Sequence, residues 1–390
     1  MTEFPPHAAP AGQAAPPPGP RRVVVIGTGL IGTSVALALR ERGTEVWLAD
    51  RDMAAARLAA DIGAGTLLPQ EGGPWAGPAA GPADLALLAV PPAAVAPVLA
   101  EAQARNLARC YTDVASVKAL PLSRARALGC DLASFVPGHP LSGRERSGPA
   151  AARADLFLGR PWVICPAAEN PEAAVAAVAA LARACGAEPV LVSAAEHDRW
   201  VALVSHAPHV VSAAMAARLA DSSDGALALA GQGLRDVTRI AAGDTALWTQ
   251  ILAANAAPVA EVLAAVAADL AAAAEALAEA ASPAGRADPH AALKILGALL
   301  DQGCAGVARI PGKRGAPARA DAVVQVVIPD RPGELARLFE AAGQAGVNIE
   351  DIGIEHSPGL QVGVAELTVR PAAVAPLTEA LAANGWPVRR

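Results

Sequence analysis

The feature that most restricts this chain is an apolar run of strand length, Val23-Val24-Val25-Ile26, that breaks into Gly27-Thr28-Gly29-Leu30-Ile31-Gly32-Thr33-Ser34. It resumes as Val35-Ala36-Leu37-Ala38-Leu39-Arg40, so the pattern is a strand, a G-x-G-x-x-G turn and a helix. Gly27 permits the tight turn, Gly29 lets the backbone approach a pyrophosphate, and Gly32 lets helix and strand pack closely. The helix start, with Thr28, Leu30 and Ile31 on the same turn, offers free N–H groups and the positive end of a dipole. Glycine is 35 of 390 residues, so the spacing needs support from its context. A second strand over residues 45–50 ends in Asp50, about 20 residues past the glycines, where dinucleotide sites hold a ribose hydroxyl. A carboxylate there repels a 2′-phosphate, so the expected cofactor is NAD. Arg51 could stack on adenine or pair with a phosphate, and the alternative for Asp50 is a helix N-cap.

The remainder of residues 21–192 alternates. Apolar runs at 84–90, 111–114, 135–136, 162–165 and 190–192 are strand-like, and 51–62, 93–108 and 171–185 read as helices, with a Pro/Gly loop at 69–82. That alternation predicts an α/β domain whose parallel strands end on one edge. Val90, Ser116 and His139 each close or follow a strand and are expected at that edge. A neutral imidazole can take the proton of a substrate hydroxyl as hydride leaves its carbon, and Ser116 can hydrogen-bond the same oxygen. The bland reading of His139, which precedes Pro140 in a Gly-containing loop, is structural. Asp113 reads as a cap or brace for its loop, and Lys118 as a solvated helix residue or a site residue.

The grammar changes after Ser193. Residues 194–220, 225–242, 245–281 and roughly 287–308 are helical in pattern, with Pro208 and Pro258 expected to start, end or kink a helix. Their Ala-rich faces carry little polar surface, which points to a homodimer interface. His197, His206 and His209 lack the H-E-x-x-H spacing, so no metal is expected; an anionic substrate group or a helix cap are their alternatives. Arg235 and Arg239 flank Asp236. Either the three form an internal ion network or one guanidinium is left for a substrate carboxylate. Trp248 walls a pocket or fills the core. Residues 321–390 read as a βαββα module with a possible last strand at Val388, without a set of reacting groups, and therefore as a binding or assembly unit.

Net charge is −6 with no basic tract, which argues against a nucleic-acid partner. Alanine dominates the 53% hydrophobic content and no run reads as a membrane span, so no membrane partner is expected. Five cysteines are scattered singly, fitting a reducing cytoplasm. Residues 1–20, rich in Pro and Ala, read as a disordered leader without signal-peptide character, and 311–320 as a linker.

With these residues in place, residues 22–310 resemble the prephenate/arogenate dehydrogenase family of tyrosine biosynthesis. The resemblance runs through the glycine turn, Asp113-Val114-Ala115-Ser116-Val117-Lys118, Gly138-His139-Pro140-Leu141-Ser142-Gly143-Arg144-Glu145, Ser205-His206-Ala207-Pro208-His209 and Gly233-Leu234-Arg235-Asp236-Val237-Thr238-Arg239-Ile240-Ala241. Residues 322–390 resemble an ACT regulatory domain, through Pro329-Asp330-Arg331-Pro332-Gly333-Glu334-Leu335 and Gly346-Val347-Asn348-Ile349. The resemblance implies a Rossmann-like domain over 21–192, a helical substrate-binding and dimerisation domain over 193–310 and an ACT-like, ferredoxin-like domain over 321–390. It implies NAD-dependent oxidative decarboxylation of prephenate, giving 4-hydroxyphenylpyruvate, carbon dioxide and NADH. His139 matches the family's catalytic histidine, Ser116 the serine between substrate hydroxyl and nicotinamide, Arg239 the carboxylate-binding arginine and His209 a second pocket histidine, with His197 as a further helper. Trp248 matches an aromatic near the pocket, Asp236 an acid of an inter-subunit or arginine-orienting network, and tyrosine is the effector expected at the ACT-like module.

Arogenate shares the ring carboxylate with prephenate, so Arg239 does not separate them. Glu145 is the candidate for an ammonium but is offset by Arg144, and prephenate is the expectation. The 3-hydroxyacid and 6-phosphogluconate dehydrogenases also join a dinucleotide domain to helices, but they use a lysine there, and residues 193–293 contain none. A non-catalytic NAD-binding sensor is the reading from a different class.

Overall fold

The computed structural model describes residues 19–69, 81–142, 148–282, 290–310, 321–356 and 362–389. The expected leader (apart from residues 19 and 20), the linker, most of the 69–82 loop, and Gly143, Arg144 and Glu145 lie outside them. The chain forms two compact units, Met1–Val266 and Ala267–Arg390.

The first unit opens with β1 (Arg22–Ile26), α1 (Leu30–Arg40), β2 (Glu45–Ala49), α2 (Met53–Asp61) and β3 (Thr66–Leu67). β4 (Ala83–Leu88), α3 (Pro92–Ala104), β5 (Ala108–Asp113) and α4 (Ala119–Ala127) follow. The five strands pair in parallel in the order β3-β2-β1-β4-β5. Both faces of β1 are buried. Val23 and Val25 pack with Val35, Leu39 and Leu85, whereas Val24 and Ile26 pack with Leu88, Val95 and Leu99. Continuous apolar strands are what a sheet covered by helices on both sides requires.

Ser134 and Val136 hydrogen-bond the backbone of Tyr111, extending this sheet by one bridge. The chain then enters a second sheet of β6 (Gly138–Pro140), β7 (Pro161–Ile164) and β8 (Glu188–Leu191), with α5 (Glu172–Ala184) before β8. Here β6 runs antiparallel to β7 and β7 parallel to β8. Phe135–Val136, expected as a strand, is thus a crossover between the two sheets.

From Ala194 onward the unit is helical: α6 (Ala194–Val201), a π turn (Ala202–His206), α7 (Ala207–Ala217), α8 (Asp224–Leu227), α9 (Gln232–Thr238), a 3-10 turn (Arg239–Ala242) and α10 (Thr245–Ala254). Pro208 stands in the first turn of α7, as expected of a proline that starts a helical segment, and the rod continues through it from α6 by way of the π turn. It has no N–H for the Val204 carbonyl and its ring crowds that position, and the wide π turn before it makes the room. α11 (Ala256–Ala281), with Pro258 in its first turn, continues beyond the first unit.

Two helical stretches, Ala194–Ala217 and Ala256–Ala281, are long and apolar enough by length and composition to cross a membrane, contrary to the expectation of no such run. The first carries Glu196, His197, Asp198 and Arg199 in its opening turns, and the second Glu261, Asp269, Glu275 and Glu279. Large apolar side chains stand uncovered across the helical region of the first unit, Val204 in the π turn at 68% and Leu229 in the turn after α8 at 86% exposure among them. Faces of this kind mark association surfaces.

The second unit contains the helix His290–Val307 and a βαββαβ module. Its strands are β9 (Ala322–Pro329), β10 (Ile349–His356), β11 (Val362–Val369) and β12 (Val388–Arg389), with helices Glu334–Gln344 and Val374–Ala383. The antiparallel order is β10-β11-β9-β12. Alternate residues Val324, Val326, Ile328, Ala365, Leu367 and Val369 face the two helices through Leu338, Leu377 and Leu381.

Candidate active site

The glycine turn has the geometry that a bound dinucleotide needs. Gly27 lies at φ +101°, and a Cβ there would stand 2.2 Å from the Ala89 carbonyl oxygen. A Cβ on Gly32 would stand 2.0 Å from the Gly27 carbonyl oxygen, so no larger residue fits between helix and strand. Gly29 is different: its side-chain direction is open, and it begins α1 without a side-chain cap. The start of α1 is therefore uncapped and approachable, with Leu30 and Ile31 half-buried beside it. Such a turn fits a pyrophosphate.

Asp50 braces this turn from behind. Its Oδ2 accepts the Thr28 N–H at 2.6 Å and the Thr28 hydroxyl at 2.9 Å. Thr28 is fully buried and turns its side chain to Asp50, and the Thr33 hydroxyl donates to the Thr28 carbonyl at 2.9 Å. Asp50 Oδ1 accepts the Asp52 N–H. The N-cap of α2 is Asp52, which accepts from Ala54 and Ala55, so the capping alternative for Asp50 does not hold. Arg51 is exposed and Val90 half-buried.

Three strand ends stand level with the turn. Ala89 donates its N–H to Ile26 and Val114 donates to Leu88, so the chain leaves β1, β4 and β5 side by side. Gly138 joins them, because Asp113 Oδ1 accepts its N–H at 3.2 Å. Ser116 and His139 therefore sit on one edge, outside the carboxyl ends of the strands. The loop bearing Ser116 is pinned at both sides: Ala115 N–H donates to Asp113 Oδ2 and Lys118 N–H to Asp198 Oδ1.

Lys118 is fully buried rather than solvated. Its ammonium pairs with Asp113 and donates to the Gly138 carbonyl oxygen at 2.6 Å. His139 Nδ1 lies 2.9 Å from His197 Nε2, the rings edge-on at 78°, and His197 Nδ1 lies 2.8 Å from Asp198 Oδ1. Burial, then His197, Lys118 and His206, hold the His139 pKa well below that of an ordinary histidine. His139 is thus a neutral ring at neutral pH.

The helical side of the site is a second aromatic cluster. His209 stacks on Trp248 with centroids 3.6 Å apart, and His206 meets the same indole edge-on at 6.1 Å. The Asn255 amide donates to the Asp198 carbonyl oxygen at 2.8 Å and contacts His206 Nδ1 at 3.0 Å. Burial lowers the His206 pKa to about 4 and also lowers that of His209. Arg239 is exposed on the short turn Arg239–Ala242, which packs on α7, the helix that carries His209. Asp236 takes a hydrogen bond from Gln232 at 2.8 Å. Among the described residues no group of three or more His, Cys, Asp or Glu could hold a metal.

Asp198 and Asn255 are the residues that motif reading missed. Asp198 follows His197 in the sequence, and nothing local ties it to residues 118 and 119. Asn255 left no signal at all.

Two family models match this arrangement: Prephenate dehydrogenase, nucleotide-binding domain, over residues 35–191, and Prephenate dehydrogenase, dimerization domain, over residues 193–286. NovF, a probable prephenate dehydrogenase of Streptomyces niveus, is 42% identical over 371 residues, 94% of this chain and 99% of that protein. The chain belongs to the prephenate dehydrogenase family. The NovF match also continues well past residue 286, where the second family model ends. A cyclohexadienyl dehydrogenase of Zymomonas mobilis is 32% identical, covering 60% of this family member and 81% of its own length. The crystal structure of Synechocystis arogenate dehydrogenase superposes with a TM-score of 0.56 at 26% identity, over 73% of this chain and 98% of that one.

Proposed function

We propose that this member of the family oxidises prephenate in an NAD-dependent decarboxylation, giving 4-hydroxyphenylpyruvate, carbon dioxide and NADH in tyrosine biosynthesis. The observation that carries this reading is the neutral His139 at the edge of the dinucleotide sheet, beside the loop that bears Ser116. NAD⁺ held at the glycine turn would supply the acceptor for the hydride that leaves C4 of the substrate ring. His139 takes the hydroxyl proton and Ser116 hydrogen-bonds the same oxygen. Arg239 grips a carboxylate in bidentate fashion, and His209, held flat on Trp248, closes the pocket. Departure of the ring carboxylate restores aromaticity, so the protein supplies only the site in which the hydroxyl proton and the hydride leave together.

For the cofactor, Gly27, Gly29 and Gly32 with the N–H groups of Leu30 and Ile31 cradle the pyrophosphate. Thr28 acts from behind by linking the turn to Asp50, which also faces the ribose, while Arg51 and Val90 flank the nucleotide. The change from strands to helices after Ser193 supports separate nucleotide and helical domains, 21–192 and 193–310. The uncovered apolar side chains of the helices support pairing of two protomers. The βαββαβ order supports an ACT-like regulatory domain over 321–390, and the resemblance of its motifs gives tyrosine as the effector. Arogenate, or both substrates, is the second reading, because the carboxylate that Arg239 would bind is common to the two.

Initial rates with each substrate and each dinucleotide test this. Prephenate with NAD⁺ is expected to give the highest kcat/KM, and His139→Asn to lower kcat by ~10²–10⁴-fold while NAD⁺ still binds. Absence of NADH production, or a near-normal kcat in the variant, rejects the reading. Calorimetry of tyrosine against the full chain should give a binding isotherm, and a flat titration removes tyrosine as the effector.

A further inference from the structure

With His197 uncharged, the groups behind His139 leave room for one arrangement of protons. Asp198 Oδ1 accepts the Lys118 backbone N–H at 2.8 Å and Oδ2 accepts that of Ala119 at 2.9 Å. Backbone N–H groups only donate, so both oxygens act as acceptors, and His197 Nδ1 at 2.8 Å from Oδ1 completes the set as a third N–H. A neutral His197 then turns a bare Nε2 lone pair towards His139 Nδ1 at 2.9 Å. Two lone pairs at that distance would repel, so the proton of the neutral His139 ring sits on Nδ1 and its Nε2 is bare. His197 is 1% and Asp198 4% exposed, so water does not compete for these contacts.

We propose that His197 and Asp198 are positioning residues that set the tautomer of His139, making Nε2 its proton-accepting atom. This rests on the reading of His139 as the base. The substrate O–H bond breaks as the Nε2–H bond forms, and the electron pair left on oxygen becomes the ring carbonyl as hydride leaves C4. The Nδ1 proton stays in its hydrogen bond to His197, so no proton travels beyond His139. The Lys118 ammonium opposes the positive charge that His139 gains, whereas the uncharged His197 accepts its Nδ1–H. Asp113 is committed to Lys118, which leaves Asp198, behind His197, as the anion that offsets this charge. The same carboxylate ties α6 to the start of α4, so one side chain registers both the His139 ring and the loop that presents Ser116.

The test uses the full-length enzyme and four variants: His139→Asn, His197→Phe, His197→Gln and Asp198→Asn. Phe keeps the ring volume but offers no acceptor, whereas the Gln amide can accept from His139 and donate to Asp198. His197→Phe and Asp198→Asn should each lose about 10²-fold in kcat or more, with KM for prephenate and the NAD⁺ Kd within about twofold. His197→Gln should recover at least about tenfold over the Phe variant. If His139→Asn is inactive but His197→Phe turns over at the wild-type rate, or if Phe and Gln are equally slow, the tautomer proposal falls and the base reading stands. If His139→Asn is nearly as active as the wild type, both fall. Should a variant fail to bind NAD⁺ through misfolding, ¹⁵N-histidine NMR of the wild-type enzyme decides. Nδ1-protonated resonances for His139 and His197 support the proposal, and an Nε2-protonated His139 overturns it.

Discussion

The Lys118 ammonium donates to the Gly138 carbonyl oxygen at 2.6 Å, and the residue that follows Gly138 is His139. The same ammonium is paired with Asp113, whose other oxygen accepts the Gly138 N–H, so one ion pair without solvent contact locks the end of β5 to the start of β6. Ser116 lies inside this clamp and His139 at its rim. The pair therefore acts on geometry first and on charge second.

Lys118→Met removes the cation and leaves the buried Asp113 carboxylate with only the Ala115 and Gly138 N–H groups to offset its charge. A loss of ~3–5 kcal/mol in unfolding free energy is expected from urea titration, since breaking a buried pair on one side strands the other charge. A loss under about 1 kcal/mol would show that the clamp does not hold the edge together.

The two later glycines of the turn should separate stability from binding. Gly29 has open space at its Cβ position and φ −70°, so Gly29→Ala should leave Tm almost unchanged while weakening NAD⁺ binding about tenfold or more. Gly32→Ala places a methyl 2.0 Å from the Gly27 carbonyl oxygen and should cost ~1–3 kcal/mol of stability or prevent folding. Differential scanning fluorimetry and calorimetry with NAD⁺ read the two effects. An equal Tm drop for both variants would contradict the geometry.

Acid should destabilise this protein through its histidines. Burial lowers the pKa of His139, of His206 to about 4, and of His209. The unfolded chain titrates near pH 6.5, so below that pH it binds protons that the folded state refuses. The stability held by these neutral rings is complete above about pH 6.5 and is lost as pH falls from there towards 4. Urea unfolding between pH 8 and pH 4.5 should show the decline on the acid side. For the same reason the acid limb of kcat is expected well below pH 6.5, and a limb at or above 6.5 would conflict with the buried site.

Arg239→Ala should chiefly raise KM for prephenate, by an amount equivalent to ~2–5 kcal/mol for a buried charge pair formed on binding. Arg239 is exposed on its turn, so truncation removes little packing and Tm should stay within a few degrees. An unchanged KM would place the substrate carboxylate elsewhere.

Much of the fold was legible because it is written in local spacing. The glycine turn, the doubly buried strands and the βαββαβ order each follow from residues close in sequence, whose backbone geometry and burial period admit few alternatives. Ser116 and His139 could be placed on the sheet edge by the same reasoning, since parallel strands end together. Lys118 could not be judged, because a lysine beside a predicted helix has the same local pattern whether its ammonium meets water or Asp113. Nor could the membrane-length helices be foreseen as such, since alanine and proline blurred where each one started.

The sequence by itself determined a dinucleotide turn on a parallel sheet, a helical region with histidines and arginines, and the family to which they belong. The tertiary structure alone decided that Asp198 would bind the backbone of Lys118, 80 residues away, and that His197 would stand behind His139, 58 residues away. Contacts at that separation carry no periodic signal: they depend on how α6 docks against the ends of two strands. That docking, rather than any motif, chooses which nitrogen of His139 is left bare.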